Sequence, residues 1–154
     1  MKAFPAAIAL SLLLPAPALA EGRAWTGYAI DGGASLIYGT PDTDDAPLSL
    51  SCENGSSELS FAYEFEPSNT AEAIDVILEA GDLRTRIAAQ VEYFEETDQY
   101  LLLGQTTLDD DLRSLLASSG TLQVIAGGNT DEYPLAGAAD AAKDLMATCR
   151  KPKG

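Results

Sequence analysis

The sequence predicts an α+β fold: a mainly antiparallel β-sheet or sandwich with one short helix and a C-terminal helix laid against it, joined by one disulfide. Three observations predict it. Leu59, Phe61, Tyr63 and Phe65 alternate with Glu58, Ser60, Ala62, Glu64 and Glu66, a period of two that gives one apolar face and one wet, anionic face. Further short apolar runs flank this one, separated by turns rich in Gly, Asp and Pro. The chain has only two cysteines, Cys52 on a strand pattern and Cys149 at the end of a helical one.

Residues 1–20 read as a cleaved export signal. Lys2 precedes an apolar run from Phe4 to Leu14, and Ala18-Leu19-Ala20 is the small-x-small tripeptide that signal peptidase reads. Pro15 and Pro17 interrupt a run already too short for a spanning helix. The expected product is a single periplasmic or secreted α+β domain over residues 21–154, large enough to bury a core. In that oxidising compartment the two cysteines are most simply one bridge, Cys52 to Cys149. Closing a loop of about 97 residues removes roughly 4–5 kcal/mol of unfolded-state entropy.

Along the chain, residues 23–30 and 34–40 form a hairpin around Gly32 and Gly33, carrying Trp25, Tyr28, Ile30, Leu36, Ile37 and Tyr38. PDTDDAP is a loop. In LSLSCE, the alternation of Leu48, Leu50 and Cys52 points Cys52 inward. Residues 71–94 carry conflicting signals: Ile74, Ile77 and Leu78 have helical spacing, whereas the Gly81-Asp82 break and the alternation of Val91 and Tyr93 favour two strands, the reading adopted. After a turn at EETDQ comes the strand YLLLGQTT. DDDLRSLLASSG reads as a short helix, with acids at its start, Leu112, Leu115 and Leu116 on one face and Gly120 closing it. TLQVIAGG and DEYPLAG give a last strand pair. AADAAKDLMATCR is the final helix, with Ala138, Ala142, Leu145 and Cys149 on one stripe.

The charge excludes some partners. Nine basic residues stand against 24 acidic ones, with no histidine, for a net charge of −15; without Lys2 the balance is 8 to 24, hence −16. Such a surface repels nucleic acid and anionic lipid, favours basic partners or cations, and keeps an exported chain monomeric. Nucleophilic machinery is missing: no histidine base, no G-x-S-x-G elbow, and cysteines expected to be oxidised. The glycine-rich pieces DGGAS and AGGNTDE match no phosphate loop or dinucleotide fingerprint. Glu64 and Glu66 could pair as glycosidase carboxylates, but their spacing recurs on any polar strand face. An EF-hand starting at Asp42 would place Asp44 third and Glu53 twelfth, yet Ala46 holds the fifth position and Pro47 the sharp-turn position. The acidic loop of Asp42, Asp44 and Asp45 is left as a candidate contact for a cation or a partner. No catalytic residue, metal site or cofactor is expected.

Trp25, the strand Leu48-Ser-Leu50-Ser-Cys52, a later aliphatic strand, and Tyr133-Pro-Leu135-Ala-Gly137 followed by Ala141, Leu145 and Cys149 form a scattered pattern over most of the mature chain. It resembles that of the TagO/VasI-like periplasmic proteins associated with type VI secretion. Arg150-Lys151 departs from it, where an aromatic residue would be expected near Cys149. The resemblance implies a non-enzymatic envelope protein, accessory to secretion. The alternative expectation, from acidity and compartment, is an inhibitor of a lysozyme-type hydrolase, although Ser119-Gly120-Thr121-Leu122-Gln123 lacks the Ser-Gly-x-x-Tyr motif of one such inhibitor family.

Overall fold

The computed structural model describes residues 22–67 and 72–150. The expected export signal, residues 1–20, lies outside them. Among the described residues nine strands form one antiparallel sheet: β1 (Ala24–Ile30), β2 (Gly33–Gly39), β3 (Leu48–Glu53), β4 (Glu58–Glu64), β5 (Ala73–Ala80), β6 (Leu83–Phe94), β7 (Gln99–Thr107), β8 (Thr121–Ala126) and β9 (Asn129–Pro134). Three short helices accompany them among the described residues: α1 (Asp110–Leu116), α2 (Ala138–Ala141) and α3 (Lys143–Thr148). The spatial order is β1-β2-β3-β4-β7-β6-β5-β8-β9. Hairpins make most of the pairings. The β5-β6-β7 meander folds back so that β7 meets β4, and α1 then carries the chain past β6 to place β8 beside β5.

One face of the sheet is core. Leu36 and Tyr38 of β2, Leu48 and Leu50 of β3, Leu59, Phe61 and Tyr63 of β4, Val76 and Leu78 of β5, and Leu122 and Val124 of β8 are all buried. The other face carries Ser49, Ser51, Ser60, Gln105 and Gln90, as the alternation requires. Register explains the conflicting segment: Val76 faces Ile87, and Leu78 lies opposite Val124, so β5 is apolar towards its neighbours on both sides. Those cross-strand partners outweigh the local helical spacing.

The sheet curls until its two edge strands approach. Trp25 Nε1 donates to Pro134 O at 2.7 Å, joining β1 to β9. Behind this bond the rings of Trp25, Tyr38 and Tyr133 stand in series, with centroids 5.2 and 4.9 Å apart. Each such pair contributes about 0.5–1.5 kcal/mol beyond its buried area.

One end of the curl is closed. Asp109 caps α1 by accepting from Leu112 N at 2.9 Å, and Leu112, Leu115 and Leu116 are buried beneath it. Cys52 and Cys149 are bonded, with Cα atoms 6.0 Å apart. Gly55 N donates to Thr148 O, and Arg150 N to Ser56 O, so the β3–β4 turn is clipped to the end of α3. Arg113 of α1 donates from its guanidinium to Cys149 O at 3.3 Å.

The C-terminal helix departs from expectation in one respect. Its stripe of Ala138, Ala142, Leu145 and Cys149 is buried as predicted. The helix itself breaks at Ala142 into α2 and α3, and Cys149 follows in extended backbone. Alanine propensity favours one straight rod, but packing overrides it. Breaking lets α2 rest on β1 while α3 turns towards Cys52. At the β1 contact a Cβ on Gly27 would lie 2.0 Å from Ala141 O, so only glycine admits so close an approach.

Candidate functional site

The opposite end of the curl is open. It is bounded by the last residues of β4, the first of β7, the start of β9, and Arg23 with Pro47. These enclose a cleft of about 1030 Å³. Five acidic residues line it, Glu64, Glu66, Asp98, Asp131 and Glu132, against one base, Arg23; the carboxylate of Glu132 accepts from Gln123 Nε2 at 3.0 Å on the outer face.

That base is already committed. Arg23 meets Asp45 through two bonds, Nε to Oδ2 at 2.9 Å and a terminal nitrogen to Oδ1 at 2.6 Å. Thr40 donates to the same carboxylate through its hydroxyl at 2.6 Å and its backbone N–H at 3.2 Å. Arg23, with Thr40 behind it, holds Asp45 well below the usual carboxylate range, at about 2. Two of the three candidate loop residues, Asp42 and Asp44, are exposed, whereas Asp45 is an internal anchor of the loop. Among the described residues no three or more carboxylates or cysteines gather in a group that could hold a metal ion.

The floor of the cleft is aromatic. Tyr63 of β4 donates its hydroxyl to Asp131 of β9 across the curl. Burial, then this bond, pushes the Tyr63 phenol up; burial and the Asp131 charge push Tyr133 up to about 12. Both phenols therefore stay neutral across the physiological range. Glu64 is also pushed up, first by burial and then by the nearby Asp45. Phe65 closes one side: its N–H donates to Tyr100 O, and its ring lies where a Cβ on Gly127 would come within 2.8 Å.

The tip of the β6–β7 hairpin overhangs the cleft. The β5–β6 register ends at Ala73 and Gln90, Val91 N adds one bond to Glu72 O at 3.0 Å, and among the described residues Glu92 to Phe94 pair with β7 alone. Tyr93 and Tyr100 face each other in register with ring centroids 4.8 Å apart, yet remain 48 and 41 % exposed. Tyr93 donates to Asp98 at 2.7 Å. With Phe94, this hairpin holds three of the four large hydrophobic side chains exposed among the described residues; the fourth is Tyr28 on β1. Of the three N-terminal aromatics, Trp25 and Tyr38 are core and Tyr28 is not.

Sequence reasoning placed Tyr63 correctly on an inward face but could not join it to Asp131, 68 residues away. Nor did it single out Tyr93 and Tyr100, although an aromatic residue on each side of an acidic four-residue turn was the available signal. No protein-family model, curated protein or solved structure matches the chain.

Proposed function

We propose that this chain is an exported, non-enzymatic binding protein of the cell envelope that engages a protein or envelope partner through the open end of its sheet. The carrying observation is the exposed Tyr93–Tyr100 ring pair on the β6–β7 hairpin, of which Tyr100 lines the cleft. Isolated exposed apolar residues are ordinary, but aromatic residues grouped at the rim of a concavity are the composition of a contact surface. The disulfide fits an oxidising compartment. No helix among the described residues is long and apolar enough to cross a membrane.

An accessory role in type VI secretion rests on the resemblance described above and is one form of this reading. Inhibition of a lysozyme-type hydrolase is the second, favoured by the excess of carboxylates in the cleft, because such hydrolases are basic. A photoreactive phenylalanine analogue at position 100, expressed in the exporting cell, tests the common claim. It is expected to trap an envelope component, while the same analogue at position 28 traps none. Equal trapping at both positions, or none at position 100, would contradict the proposal.

A further inference from the structure

Resting on that reading, we infer that the cleft recognises the arginine or lysine side chains of an extended segment of a basic protein. Two independent features favour this chemistry. The Tyr93–Tyr100 pair exposes ring faces, and a cation over such a face is attracted by the ring quadrupole. Beside it, the carboxylates of Glu66, Asp98 and Asp131 meet no cation among the described residues, because Arg23 is held bidentately by Asp45; Asp98 and Asp131 accept from the neutral hydroxyls of Tyr93 and Tyr63. A cationic side chain laid on the rings would thus have its charge satisfied at the cleft wall. A second copy of this chain is a poor occupant: it brings the same excess of acid, and like charges facing each other are costly. Guanidinium suits the site better than ammonium, since it stacks on rings and donates to carboxylates in one plane.

The test uses the mature, oxidised protein and a fluorescein-labelled hexa-arginine peptide, with hexa-citrulline as its uncharged counterpart. In about 20 mM salt the arginine peptide binds and the citrulline peptide does not; raising the salt weakens the complex. The double variant Tyr93→Ala/Tyr100→Ala, which leaves net charge unchanged, is expected to weaken binding roughly tenfold. Glu66→Gln/Asp98→Asn in the cleft is expected to weaken it roughly fivefold, whereas Glu53→Gln/Glu58→Gln at the closed end changes it less than about twofold. Circular dichroism melts verify that every variant is folded. Equal losses from the two acid pairs would reduce the effect to diffuse attraction and overturn the inference, as would an unchanged affinity in the tyrosine variant. Failure of hexa-arginine to bind while position 100 still cross-links would overturn the cationic chemistry and leave the binding reading standing.

Discussion

The two ends of the curled sheet are built from different materials. The closed end gathers the covalent and apolar constraints: the Cys52–Cys149 bond, the buried leucines of α1, and the backbone clips from Gly55 and Arg150. The open end is held by polar contacts, Tyr63 to Asp131 across the curl and Arg23 to Asp45 of the adjoining β2–β3 loop, beside a hairpin tip whose Glu92 to Phe94 pair with β7 alone among the described residues. Polar contacts at a wet rim stabilise little, whereas apolar burial and a long-range cross-link stabilise much. Stability is therefore concentrated away from the surface proposed to bind, leaving that surface free to carry exposed rings and unpaired charge.

Substitutions at the two ends should differ accordingly. Leu112→Ala at the closed end, where the side chain is fully buried, is expected to cost about 2–5 kcal/mol in urea unfolding. Replacing Cys52 and Cys149 by alanine together is expected to cost a comparable 2–5 kcal/mol or so, with the native sheet retained in far-ultraviolet circular dichroism. At the open end, Tyr63→Phe keeps the buried ring and removes one bond from the cleft floor to the exposed Asp131 carboxylate, and about 1.5 kcal/mol is expected. A larger loss from Tyr63→Phe than from Leu112→Ala would reverse the contrast.

The smallest effect is a matter of pH. Asp45 has its folded-state pKa depressed to about 2, so the stability it contributes is full above its unfolded value near 4 and is lost as pH falls through about 2. Asp45→Asn should therefore flatten the fall in melting temperature between about pH 4 and pH 2 and leave its slope near neutrality unchanged. An identical acid limb in the variant would remove Asp45 from its anchoring role.

Most of the closed end was legible in the sequence because its signals are local or topologically simple. Leu48, Leu50 and Cys52 announce their face by alternation, the acids at 109–111 with Leu112, Leu115 and Leu116 announce an amphipathic helix, and a chain with only two cysteines leaves one pairing. The open end was not legible, because it exists only once the sheet curls. Arg23 and Asp45 are 22 residues apart, and Tyr63 and Asp131 are 68. Without those partners Asp45 reads as one more loop acid beside Asp42 and Asp44, although its partner commits it to the fold. The break at Ala142 was hidden for a related reason: local propensity favours an unbroken helix, and only contact with Gly27 and the reach to Cys52 oppose it.

The Cys52–Cys149 bridge and the proposed export underlie the contrast between the two ends, so the most direct measurement is the intact mass of the protein recovered from the envelope fraction, before and after reduction and thiol alkylation. A mass that starts at Glu21, two hydrogens short until reduction and then shifted by two alkyl groups, is the predicted result. A full-length mass with two thiols already open to alkylation would contradict it, removing both the covalent constraint at the closed end and the compartment in which the open end was proposed to work.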